Sequence, residues 1–233
     1  MAKLRDICKI PSVKLSEVAV GDTVMIGDHE MVVLDQFGKA TALIRKDMLA
    51  EMCFGGNNNY NGSDADDICN AFAEEMASIV GEDNVLLHEV DLTADDGLKD
   101  YGKVQRKASL RTAQMQREYV EILDKYRLDV YEWLATACST PTHGWETAVK
   151  CVSPSGYFCN GGCGSCFGVR PFCILKSTIF VSKKEEKNLP TADDVEVVRC
   201  KDCINQMGDG ACCVIDEGGA DDFFCSYGER RTE

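Results

Sequence analysis

Of the fourteen cysteines, ten fall between Cys151 and Cys225, and thiols at short fixed spacings are the side chains here most able to do chemistry. Near the C-terminus, Arg199-Cys200-Lys201-Asp202-Cys203 is followed by Cys212-Cys213 and then by Phe224-Cys225. A Cys-x-x-Cys turn sets two thiolates on one side of a tight knuckle, and a second pair from downstream completes a tetrahedron around zinc. The expected ligands are Cys200, Cys203, Cys212 and Cys225, with Cys213 an alternative for the third place. The segment has so few apolar residues that metal binding would supply its folding energy. A redox Cys-x-x-Cys would want a thioredoxin-like strand and helix around it, and no such pattern flanks this one. Four thiolates leave no open coordination position, so the expected zinc is structural.

Cys159, Cys163, Cys166 and Cys173 form a second group, with Cys163-Gly164-Ser165-Cys166 another Cys-x-x-Cys. Two readings stand side by side: a second metal clip joined by Cys159, or small loop residues that happen to be Cys, with Cys173 inside a buried strand. Cys8, Cys53, Cys69 and Cys138 sit singly and read as buried free thiols. A catalytic thiol needs a basic partner, and the histidines are His29, His88 and His143, the last in a surface loop. No catalytic residue is assigned. Arg170 reads as a tie for loop carbonyls through its five donors. The acids Asp91, Asp95, Asp96 and Asp100 lack the alternation of a calcium loop and read as a solvated turn, and Asn57 to Asn59 reads as a turn rather than a glycan-reading site.

The elements that would position these groups are short. Val24-Met25-Ile26, Met31 to Leu34 and Ala40 to Ile44 are β-prone runs separated by turn residues. Ser63 is a helix N-cap candidate, with Ile68, Phe72, Met76, Ile79 and Val80 at helical spacing and Gly81 as the stop. A second helix is expected from Thr112, burying Met115, Tyr119, Ile122, Leu123 and Tyr126. Short strands are expected at Val85 to Leu87, Trp133 to Thr136, Gly168 to Leu175 and Thr178 to Val181. Ser153 to Phe167 shows neither period and reads as an irregular loop held between strands. Two amphipathic helices among many short antiparallel strands make an α+β domain over 1–182. A charged linker over 183–192 and a zinc-ribbon-like module over 193–233 follow.

The pieces Asn57-Asn58-Asn59-Tyr60, Asp96-Gly97-Leu98-Lys99-Asp100-Tyr101-Gly102, Trp133-Leu134-Ala135-Thr136 and Gly168-Val169-Arg170-Pro171-Phe172-Cys173-Ile174-Leu175 resemble a family of domains without an assigned activity. These occur in phages and prophages of Gram-positive, largely anaerobic gut bacteria, and the resemblance covers residues 18–182. The family is similar to C-type-lectin-like folds, including formylglycine-generating enzymes and the variable proteins of diversity-generating retroelements. There, a Gly-Phe-Arg strand follows a variable, ligand-facing loop. The four-cysteine segment resembles a zinc-ribbon-like ending of many phage proteins. Two positions depart from the family: Glu132 stands where a second Trp is frequent, and the 153–168 loop is rich in Cys and Gly rather than in aromatics and Asn.

The resemblance implies a binding module that presents Tyr157, Phe158, Asn160, Ser165 and Phe167 to a protein or glycan partner, with one zinc in the tail. Aromatics among small polar residues suit such a surface, since they give contact area at low entropy cost. The phage context adds an intracellular inhibitor of a host defence or nucleic-acid-handling protein, a structural virion component and, more remotely, a cysteine-dependent oxidase of the formylglycine-generating type. A net charge of −14 disfavours a nucleic-acid partner, which needs clustered Lys and Arg. No run approaches the roughly 20 apolar residues of a membrane span, and the first residues lack the apolar core of a signal peptide. The expected location is the host cytoplasm or the virion.

Overall fold

The structure, a computed structural model, describes residues 12–183. The chain divides into two compact units at Lys184, and all described residues belong to the first. The expected zinc ligands Cys200, Cys203, Cys212 and Cys225, and nearly all of the expected linker, lie outside the described residues.

The described chain is α+β and mostly strand. Strands β1 (Ser12–Lys14), β2 (Thr23–Ile26), β3 (His29–Phe37), β4 (Ala40–Arg45) and β5 (Ala50–Cys53) precede helix α1 (Asp64–Val80). Strands β6 (Val85–Leu86), β7 (His88–Asp91), β8 (Lys103–Arg106) and β9 (Ala108–Leu110) lead to α2 (Ala113–Glu118) and α3 (Val120–Leu123). Then come β10 (Glu132–Ala137), β11 (Ala148–Val152), β12 (Phe158–Gly162), β13 (Cys166–Val169), β14 (Pro171–Lys176) and β15 (Phe180–Lys183). A larger sheet runs β1-β15-β2-β3-β4-β14-β6, with β9 also on β14; a smaller one runs β12-β11-β10-β13-β5; β7 and β8 form a ribbon.

Alternation on β3 explains why the larger sheet is covered on both faces. Met31 and Val33 face a core with Leu43, Leu175 and the α1 residues Phe72 and Met76. Val32 and Leu34 face a second core with Ile44, Phe172 and the α3 residue Leu123. Successive strand side chains point to opposite faces, so a continuous apolar run is what a doubly covered strand requires.

Helix α1 starts and stops where expected. The Ser63 hydroxyl accepts the Asp66 N–H at 3.1 Å, and Gly81 ends the helix at φ 91°. The second helix also begins at its expected cap, Thr112, but breaks at Tyr119 (φ −105°, ψ 16°) into α2 and α3. Its apolar stripe nonetheless packs as one patch of Met115, Tyr119, Ile122, Leu123 and Tyr126 against the larger sheet.

Two expectations differ from the structure. Residues 153–168 are not irregular throughout: β12 and β13 occupy half of the stretch. Gly161 is what lets β12 lie flat here, because a Cβ on it would meet Phe167 at 2.4 Å and Trp133 at 2.7 Å. Gly168 to Leu175 is likewise not one strand. It splits at Arg170, so that β13 pairs with β5 and β10 in the smaller sheet while β14 joins β4 in the larger one.

Candidate functional site

The smaller sheet gathers the residues singled out for binding. Its central strand β10 is buried along its whole length, with Trp133 and Ala135 in a core that also takes Val149 and Cys151 of β11, Phe54 and Tyr60. The Trp133 indole donates to the Met52 carbonyl at 2.9 Å, which fixes the ring across β5. On the opposite face of β10, Glu132 accepts from Arg111 at 2.9 Å and lies 3.5 Å from Arg170. All three are almost fully buried. Burial pushes the Arg170 guanidinium down to about 10, against the pull of Glu132. Arg170 also donates through Nε to the Arg45 carbonyl, the loop-tying role expected of it. Glu132 is thus the counter-charge of two buried guanidiniums.

The five expected contact residues separate into two groups. Tyr157, Phe158 and Asn160 lie on the β11–β12 hairpin, whose outer strand β12 is an edge of the smaller sheet. Tyr157 is 75 % exposed and Phe158 38 % exposed. The Arg117 guanidinium sits 4.9 Å above the Phe158 ring, and the Lys150 ammonium is 6.0 Å from it. Lys150 donates to the Asn160 side chain at 2.8 Å, and Asp95 pairs with both Arg117 and Lys150 at 3.2 Å. Ser165 lies apart, in the turn closed by its own N–H to the Gly162 carbonyl. Phe167 points inward: its ring centroid is 4.3 Å from that of Trp133 and 5.0 Å from that of Tyr131. It fills the space left by Gly161 and is held out of the exposed edge.

A polar cleft of 370 Å³ opens beside the hairpin, lined by Thr93, Asp95, Thr112, Gln114, Arg117 and Thr136 among others. Sequence reasoning missed Arg117, Lys150 and Asp95, because nothing local marks them. They meet through the packing of α2 against the smaller sheet. The acidic loop 91–101 is more organised than a solvated turn. Asp96 accepts from Ser139 and contacts His143, while Asp100 accepts from Thr140 and Thr142. Those hydroxyl bonds hold both carboxyls below their usual range. Asn58 is fully buried and spreads its amide hydrogens over the carbonyls of Ser139, Trp145 and Ala148, while its oxygen accepts from Tyr101. Acids and amide together pin the 138–148 segment.

Catalytic geometry is a poorer fit. Among the described residues, His88 lies 2.9 Å from the Ser109 hydroxyl, but Ser109 is fully buried and desolvation drops the imidazole to about 4, a weak base. His143 and Ser139 both bond Asp96, an order that leaves the hydroxyl without a base. Burial raises Cys69 and Cys173 to about 12 and Cys138 to about 11. Among the described residues no group of three or more His, Cys, Asp or Glu side chains is placed to hold a metal. Cys163 turns into the core and Cys166 outward, so this Cys-x-x-Cys does not converge. No described helix is long and apolar enough to cross a membrane. Comparison with family models, curated proteins and solved structures gives no match for this chain.

Proposed function

We propose that this chain is a phage-type binding module that engages a protein or glycan partner through the β12 edge. The observation that carries the reading is the pair Tyr157 and Phe158, exposed on a sheet edge with Arg117 over the second ring. An aromatic face flanked by cations gives contact area together with polar anchoring, and the adjoining hydroxyl- and carboxylate-lined cleft adds hydrogen-bond partners. Ser165 and Phe167 belong to the same expected contact set but lie away from this edge, Ser165 in the turn closed on Gly162 and Phe167 half-buried against Trp133. The family resemblance supports a lectin-like core, and the spacing of Cys200, Cys203, Cys212 and Cys225, with Cys213 the rival of Cys212, supports one structural zinc in the tail.

The test is binding of the full chain to a printed glycan array and to a displayed peptide library, alongside Tyr157→Ala and Phe158→Ala. A glycan or peptide held by the parent and weakened at least tenfold by either substitution is the expected result. Ligands retained equally by both variants would overturn the assignment. The net charge of −14 favours one second reading, an inhibitor that offers acidic surface to a basic, nucleic-acid-handling host protein. Its mark would be binding that collapses with salt and is indifferent to both substitutions.

A further inference from the structure

Cys53 and Cys166 are 113 residues apart in sequence and face each other across β5 and β13, with sulfurs 3.5 Å apart. The antiparallel register sets them directly opposite, one pair along from Met52 and Phe167. Directly opposed side chains project from the same face of a sheet. Met52 and Phe167 pack on the Trp133 core, so Cys53 and Cys166 look the other way, and the Cys166 thiol is exposed. The Cys53 thiol also donates to the Gly164 carbonyl at 3.3 Å, which holds it toward its partner. Cys53 ends β5 and Cys166 begins β13, and the next backbone bond, Phe54 N–H to the Cys163 carbonyl, has already left the ladder register. A strand end can give the small further approach that a disulfide needs, sulfur to sulfur about 2.05 Å.

From this juxtaposition we propose that Cys53 and Cys166 form a reversible modification site, a dithiol oxidised to a cross-strand disulfide by small-molecule disulfides of the glutathione type. The thiolate of exposed Cys166 attacks one sulfur of the small disulfide, forming a mixed disulfide and releasing one small thiol. Cys53 then gives up its proton, attacks Cys166 and displaces the second small thiol. The protein loses two electrons and two protons, and the small disulfide gains them as two thiols. The neighbouring Cys53 and Glu51 raise the Cys166 thiol, so the first step quickens as pH rises. A second opposed pair, Cys151 and Cys159 across β11 and β12, provides the contrast. It faces the Trp133 core, with Cys151 buried, and is expected to stay reduced under the same conditions because a small disulfide cannot reach it.

Oxidation would covalently join the two edge-side strands of the smaller sheet. From β5 the chain passes through buried Phe54 to the Asn58 clamp, and β13 leads into Arg170. The bond therefore closes a loop running from Cys53 to Cys166 and restrains the unfolded chain.

The experiment incubates the full chain with mixtures of reduced and oxidised glutathione, followed by differential alkylation and peptide mapping. The expected result is a crosslinked pair of peptides carrying Cys53 and Cys166, reversed by dithiothreitol, with Cys151 and Cys159 still reduced. In Cys53→Ser, glutathione should remain attached to Cys166, because the resolving thiol is gone. The oxidised parent should melt about 10 °C higher than the reduced one, and Cys53→Ser should show no such rise. Persistent glutathione on Cys166 in the parent would overturn the proposal, as would both thiols remaining free at every ratio. Pairing of either cysteine with another partner would do so as well.

Discussion

Gly161 shows how a single missing side chain can set the shape of a surface. With Phe167 and Trp133 occupying the space a Cβ would need, Gly161→Ala forces either ring off its rotamer or β12 off β11. Overpacking of this kind costs about 1–3 kcal/mol, and urea denaturation should find the loss at the upper end of that range, because both neighbours are rings held on several sides. His88 gives the clearest pH signature. Its folded value near 4 lies below the ordinary 6.5, since burial against Phe172 disfavours the charged ring. Above pH 6.5 both folded and unfolded chains hold it neutral and stability is complete. As pH falls through 6.5 toward 4, the unfolded chain takes up a proton that the folded one refuses, and stability drops. Between pH 7 and pH 5 the loss should be about 2 kcal/mol. The carboxyls of Asp91, Asp96 and Asp100, all held low, remain ionised in that window and do not contribute. Denaturation of His88→Gln at the same two pH values should show the slope largely gone. A slope unchanged in the variant would place the titration elsewhere.

Where elements meet, the Arg111–Glu132–Arg170 cluster is the joint to examine. Arg111 follows β9, Glu132 begins β10, and Arg170 stands between β13 and β14, so one carboxylate serves three places where strands end, start or change sheets. Arg111 is further held by Gln116 of α2 at 2.6 Å. Removing the shared charge leaves two buried guanidiniums without compensation, and losses from breaking such buried pairs run to about 3–5 kcal/mol. Glu132→Gln is expected to lose stability on that scale, read as a lower urea midpoint at unchanged slope. A loss under about 1 kcal/mol would mean that water already screens the cluster. The helix cap at Ser63, the α2 stripe and the Phe72 and Met76 face of α1 were legible beforehand, because capping and helical period are properties of neighbouring residues, whereas Ile79 of the expected α1 stripe is exposed. The break at Tyr119 was not, since the stripe passes through it without interruption.

At the scale of the whole molecule, the proposed division of labour is a strand-rich binding unit followed by a metal-held segment. Elemental analysis of the full chain should find one zinc per molecule, and Cys203→Ser should lose it while the pH slope of His88 stays as in the parent. Retention of zinc by that variant would remove the tail assignment. Sequence alone settled the α+β class, the boundaries of α1, the strand at Trp133 and the structural use of Arg170, because each follows from local pattern or from the donor inventory of one side chain. Tertiary structure alone decided that 153–168 holds a paired hairpin and strand, that Phe167 packs half-buried on Trp133 while Phe158 is exposed, and that Arg117, Lys150 and Asp95 surround the latter. It also decided that Cys53, read singly as a buried thiol, faces Cys166. The physical reason is common to all of these. Strand pairing and register join residues far apart in the chain, and a Gly- and Cys-rich strand carries no alternation by which its own sequence could announce which face is which.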